Sequence, residues 1–126
     1  MKDVVLDTNF LLLPHTHKID VYAEIEKIIP EEHRLIVLSG SIMELEKLSK
    51  GTSASAVGAR VGLQLLAGKN IAEIPSQGGV DEAILDYARK HGKTIVATCD
   101  KQLGKKLREA GTETITKRGE NTLMRF

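Results

Sequence analysis

Four acidic residues, Asp7, Glu44, Asp81 and Asp100, fall where short apolar runs give way to a turn or to the start of a helix. Asp7 follows VVL and Asp100 follows TIVATC; Glu44 lies in the first turn of the helix expected after LIVLSG, and Asp81 opens the helix expected after the SQGG turn. Mg²⁺ and Mn²⁺ are hard cations that take oxygen ligands in octahedral geometry and keep several waters, so carboxylates meeting at one rim would suit either ion. Two carboxylates about 4 Å apart repel by roughly 4 kcal/mol at an effective dielectric near 20, a cost that stability alone would not select and that a cation would offset. Each acid also has a plainer reading. Asp7 could form an Asx turn, Asp81 and Asp100 could be helix N-caps, and Ser41-x-x-Glu44 is a capping-box pattern. Taken singly the plainer reading leads; four acids at the same end of a sheet favour the metal. Asn9, two residues past Asp7, and Thr98, two before Asp100, form a second layer at that rim, or else satisfy loop backbone groups.

The elements that must position these acids are legible as alternating patterns. Val4–Leu6, Leu35–Leu38 and Thr94–Ala97 are continuous apolar runs suited to strands buried on both faces, with weaker strands over Ile71–Ile74 and Thr114–Thr116. Between them lie helical patterns: Ile19 to Ile29 stopped by Pro30, Ile42 to Leu48 stopped by Gly51, Ala54 to Ala67 closed by Gly68, Val80 to Ala88 stopped by Gly92, and Lys101 to Ala110 closed by Gly111. Such alternation predicts an α/β fold of right-handed crossovers around a mostly parallel sheet, with the ligand site beyond the carboxyl ends of the strands. Loose segments are expected at Lys50–Ser55 and Ser76–Gly79.

With 126 residues the chain has room for one domain, 1–126, and one core. No apolar run approaches the ~20 residues that cross a bilayer, and the start MKDVVLDTN lacks a cleavable signal, so a cytoplasmic protein away from the membrane is expected. Cys99 is the only cysteine and can form neither an internal disulfide nor a multi-cysteine zinc site. Net charge is +1, but residues 1–46 carry 9 acids against 4 bases and residues 101–126 carry 3 against 7. Acids for a metal beside bases for phosphate is the balance that phosphodiester chemistry needs, although solvated helix faces would give the same counts. Lys47, Lys50, Arg60, Lys101, Lys105 and Lys106 are the candidates to guide a nucleic-acid backbone. Aromatics are limited to Phe10, Tyr22, Tyr87 and Phe126, so no row of stacking side chains is expected. His15 and His17 lack a third ligand nearby and read as plain loop rather than a zinc site, with lining of an RNA entrance as an alternative; His33 and His91 read as structural groups beside helix ends.

V-V-L-D-T-N at 4–9, S-x-x-E-L-E-K-L at 41–48, V-D-E-A-I-L at 80–85 and T-I-V-A-T-C-D-K-Q-L at 94–103, in this order and spacing, resemble the PIN domain (PilT N-terminus) superfamily over nearly the whole chain. L-D-T-N-F and I-V-A-T-C-D-K-Q-L look most like small archaeal PIN proteins related to the eukaryotic small-subunit rRNA-processing endonuclease, and more distantly like VapC-type toxins. The resemblance implies a three-layer α/β/α fold with a five-stranded sheet in the order 3-2-1-4-5. It also implies Mg²⁺ or Mn²⁺ dependence and endonucleolytic cleavage of single-stranded RNA, ribosomal precursor RNA among the targets. Carried over by position, the four acids of the motif fall on Asp7, Glu44, Asp81 and Asp100, as metal ligands and catalytic groups. Dimer formation is common in the superfamily, and the toxin branch adds an antitoxin partner. Two rivals remain: a domain phosphorylated on an aspartate, whose haloacid-dehalogenase form wants an aspartate where Asn9 stands, and a PIN-shaped module that binds RNA or protein without cutting.

Overall fold

The apolar runs become the centre of a six-stranded sheet. In a computed structural model describing residues 1–126, the strands are β1 (Lys2–Leu6), β2 (His33–Leu38), β3 (Ala72–Ile74), β4 (Thr94–Ala97), β5 (Glu113–Arg118) and β6 (Thr122–Arg125), in the order 3-2-1-4-5-6. All pairings are parallel except β5 with β6. Alternate residues of the central strands face opposite sides, and both sides are buried. Val4, Leu6, Val37, Ile95, Ala97 and Ile115 pack into one core with the helices α2 (Val21–Ile28), α3 (Ser39–Leu48) and α4 (Ala54–Ala67). Val5, Ile36, Leu38 and Val96 pack into the other with α5 (Val80–Lys90) and α6 (Lys101–Glu109). That is the three-layer α/β/α arrangement, and burial on both faces explains why these strands read as unbroken apolar runs. No helix is long and apolar enough to cross a membrane.

The structure departs from the expectation in two places. The sheet has six strands instead of five, because TLMR turns back on β5 as a hairpin through Gly119 at φ +64°. Its two adjacent apolar residues carry no alternation long enough to read; the cue was the three-residue glycine-containing turn. Charge holds this strand: Arg125 Nη1 and Nη2 donate to the two Glu31 carboxylate oxygens at 2.8 and 2.6 Å, and its Nε to Glu113 at 2.7 Å. The segment after Asp7, of which only the stretch with His15 and His17 reads as loop in the sequence, forms a 3₁₀ turn (Phe10–Leu12) running into a short helix, α1 (Leu13–Thr16). Pro14 is tolerated there because first-turn N–H groups have no helical partner.

Helix α4 presses on this segment through its small residues. Ala56, Gly58, Ala59 and Gly62 are buried, and a Cβ at Gly62 would lie 2.7 Å from the Leu11 carbonyl oxygen. The contact fixes the chain immediately downstream of Asp7. Gly62→Ala gains up to ~1 kcal/mol in helix propensity but forces a backbone clash of a kind that costs about 1–3 kcal/mol. A net loss of about 1 kcal/mol or more is expected in urea unfolding, and an unchanged or higher midpoint would show that α4 can shift without cost.

Candidate functional site

Asp7 extends the pairing of β1 by one residue: its N–H donates to the Ala97 carbonyl at 2.9 Å, and only 3% of the residue is exposed. Its carboxylate accepts from the Thr8 N–H on Oδ1 at 2.8 Å and from the Thr98 hydroxyl on Oδ2 at 2.6 Å. The same Thr98 oxygen accepts the Asp100 N–H at 3.0 Å, while Asn9 Oδ1 accepts the Cys99 N–H at 2.9 Å. Asn9 and Thr98 thus tie together the loops leaving two adjacent parallel strands. Burial pushes the Asp7 carboxyl above its ordinary range; the Thr98 and Thr8 bonds oppose this, and the Asp81 and Glu44 carboxylates push it further up.

Glu44 arrives from the other side. Helix α3 begins at Ser39, which puts Glu44 in its second turn rather than the first, and Glu44 Oε1 accepts the Thr8 hydroxyl at 2.5 Å. The capping-box pattern is not realised: Ser41 is fully buried within the helix and its hydroxyl has no partner. Asp81 is not a cap either, since Gly79 holds that position and Asp81 lies in the first turn of α5, where the helix dipole favours an anion. Asp100 is the one acid that does cap its helix, Oδ1 accepting from Gln102 and Leu103 N–H at 2.9 and 3.1 Å. Its Oδ2 is left for other partners.

The N-termini of α3 and α5 are locked together by two serines. Gly40 N–H donates to Ser76 Oγ at 3.0 Å and Ser76 N–H to Ser39 Oγ at 2.8 Å. A Cβ on Gly40 would come within 3.1 Å of Ser76 Oγ and 3.2 Å of Val80 Cγ2, so glycine is what lets the two segments approach. The SQGG stretch, expected to be loose, is therefore anchored at Ser76, and Asp81 is brought near Glu44. Burial is the main cause that raises the Asp81 carboxyl, with Asp100 and Glu44 adding to it and Lys106 opposing.

The four acids form one electrostatic group: Asp7 responds to Asp81 and Glu44, and Asp81 to Asp100 and Glu44. No three His, Cys, Asp or Glu side chains lie close enough to hold an ion between them as they stand. The donor set nonetheless suits Mg²⁺ or Mn²⁺, being all oxygen, with lone pairs to spare on Glu44 and Asp100; Mg²⁺ in particular keeps several waters and is commonly bound through one or two carboxylates. Among the bases, Lys106 acts on Asp81, and Lys47, Lys50, Lys101 and Lys105 are exposed. Arg60 is exposed too, and its Nη1 donates to the Ser49 and Gly51 carbonyls at 2.6 and 3.1 Å, closing the end of α3. His15 lies in α1 and not in a loop, and Thr16 Oγ1 is 2.9 Å from His17 Nδ1. His33 bonds the Glu31 carbonyl and Glu26, and His91 stacks on Tyr87. Sequence reasoning missed Thr8, which joins Asp7 to Glu44; its place inside D-T-N was the available signal. The largest surface groove, about 830 Å³ between the β3 edge and α5, includes none of the four acids.

Residues 4–120 match the PIN-like domain family, and the chain belongs to that family. Ribonuclease VapC4 of Methanocaldococcus jannaschii is 38% identical over 111 residues, which cover 86% of this chain and 85% of that protein. Among solved structures, the PIN domain endonuclease Utp24 superposes with a TM-score of 0.76 at 21% identity, over 96% of this chain and 88% of the other. A domain of a functionally unknown protein from Methanocaldococcus jannaschii gives 0.67 at 18% identity, over 94% and 93%. At such identities the two structures speak for the fold.

Folding holds Asp7 and Asp81 above the ordinary carboxylate range, so the native chain takes up protons there and their charged forms cost stability at neutral pH; the cost fades as pH falls through the raised values. With EDTA present, Asp7→Asn is expected to melt at or above the wild-type temperature near pH 7, the difference shrinking towards about pH 4. Melting curves across that range check it. A variant melting lower by the same margin at every pH would show that its hydrogen bonds outweigh its burial.

Proposed function

We propose that this chain is a Mg²⁺- or Mn²⁺-dependent endoribonuclease that cuts single-stranded RNA at the rim that carries Asp7, Glu44, Asp81 and Asp100. The observation that supports this most is the mutual electrostatic coupling of those acids beyond β1 and β4, in a PIN-like chain 38% identical to a ribonuclease. Asp7, Asp81 and Asp100 would hold the ion, and Glu44 would ligate it directly or through water. An ion held there would supply a Lewis acid for the phosphoryl oxygens and would lower the pKa of a water for in-line attack on phosphorus. Thr98 and Thr8 orient Asp7 by their hydrogen bonds, and Thr98 with Asn9 keeps the Asp100 loop against it. Lys106, beside Asp81, is the base best placed to meet a phosphate, with Lys101 and Lys105 on the same helix.

The relative named Ribonuclease VapC4 favours a toxin-type role, held in check by an antitoxin protein, over rRNA processing. A small antitoxin gene beside this one would support that role. Four intact acids speak against a module that binds without cutting.

Mn²⁺ at ~100 times its dissociation constant should add about 2.7 kcal/mol to stability, and Asp7→Asn should abolish the gain. Incubated with labelled single-stranded RNA and Mn²⁺, the wild type should cut, while EDTA or Asp100→Asn should lower the rate by about a hundredfold or more, since loss of a metal ligand should cost at least as much as loss of the groups behind it. Equal cleavage by wild type and Asp100→Asn would end the proposal.

A further inference from the structure

A cleft of about 490 Å³ opens between α6 and the β5–β6 hairpin, and Thr98 and Asp100 belong to its wall. That volume is within the roughly 300–1,000 Å³ of sites that hold small organic ligands. Lys101, Arg108 and Lys117 also line it, opposed by Glu120, so apart from Asp100 its charge is positive. Phe126 completes the lining, and the residue is 48% exposed although its backbone is fixed by two bonds to Thr114, at 2.8 and 3.2 Å. The Arg108 guanidinium lies 5.2 Å from the ring centroid, held by a 3.0 Å bond to Thr114 Oγ1. The other Phe and Tyr side chains, Phe10, Tyr22 and Tyr87, are buried. Phe126 is thus the one exposed side chain among Phe and Tyr, and it shares a cleft with one of the four acids.

We propose that this cleft seats one nucleotide of the RNA next to the bond that is cut, its base stacked against Phe126 and Arg108 and its phosphate between Lys101 and Lys117. The assignment rests on the ribonuclease reading. Nucleobases in single strands stack on aromatic rings and guanidinium planes whatever their sequence, while lysines neutralise the backbone. The cleft therefore supplies affinity and register for the strand, with little choice of base.

The test uses the full chain carrying Asp7→Asn, with Mn²⁺ and a fluorescent RNA of about ten nucleotides, in versions with one abasic position moved along the strand; cleavage by the wild type locates the cut bond. Binding should weaken about tenfold when the abasic position falls beside that bond, within what one base–aromatic stack contributes. Phe126→Leu in the same background should bind intact RNA about tenfold more weakly and lose sensitivity to the abasic position. Lys117→Gln should reduce the slope of log affinity against log salt by about 0.7. Intact RNA bound equally by both Phe126 forms, or a sensitive position that survives in Phe126→Leu, overturns the cleft assignment while wild-type cleavage leaves the ribonuclease reading standing. A wild type that cuts no RNA overturns both.

Discussion

A carboxylate taken out of water beside other carboxylates is the constraint around which this structure is built. Asp7 has almost no exposure and only two hydrogen bonds to its charge, and nearby acids raise its cost further. The fold puts it where two crossovers part. From β1 the chain passes to β2 and β3 through helices on one face, then returns to β4 and on to β5 through α5 and α6 on the other. The crevice between β1 and β4 is therefore walled by strand ends and by helices leaving in opposite directions, the place where open parallel sheets receive ligands.

Each acid is delivered by a different element, so the site depends on how firmly those elements are joined. Thr98 serves two loops at once, giving its proton to Asp7 and taking the Asp100 N–H. Ser39 and Ser76 join the starts of α3 and α5, and Gly62 allows α4 to bear on the chain just after Asp7. None of these ties contributes a ligand. Their effect is to keep repelling charges from relaxing outwards into water, which is how a strained functional group persists in a marginally stable fold.

The parts of this architecture that were legible in the sequence are those whose cause is local. Strands covered on both faces must be apolar throughout, so β1, β2 and β4 declared themselves, and acids just past their ends marked the rim. Asn9 and Thr98 were legible from their two-residue offsets from Asp7 and Asp100. What depended on a distant partner was hidden. Gly40 is required by Ser76 and Val80, more than thirty residues away, and the helix consequently starts before the Ser41-x-x-Glu44 pattern that suggested its first turn. Nothing in the helix that carries Arg60 shows that its guanidinium closes the end of α3. Strand β6 was concealed for the same reason, its place being secured by Arg125 reaching Glu31.

The contrast between the two ends of the sheet gives the acidic rim its meaning. At the end where the parallel strands begin, acids are matched with bases: Arg125 hydrogen bonds hold Glu31 down at about 2 and lower Glu113, with Lys2 assisting both. Asp3 is lowered too, the Arg34 and Tyr87 bonds prevailing over a burial that would raise it. At the end where the strands finish, the charges that act on Asp7 are other acids, and Lys106 is the one base acting on Asp81. The same sheet thus pairs its carboxylates at one edge and sets them against each other at the opposite one. Packing cannot account for that asymmetry, because both groups rest on the same two cores. Chemistry that calls for concentrated negative oxygen can, and on the reading proposed above a divalent cation carrying phosphate would be the ligand whose charge turns the repulsion into binding.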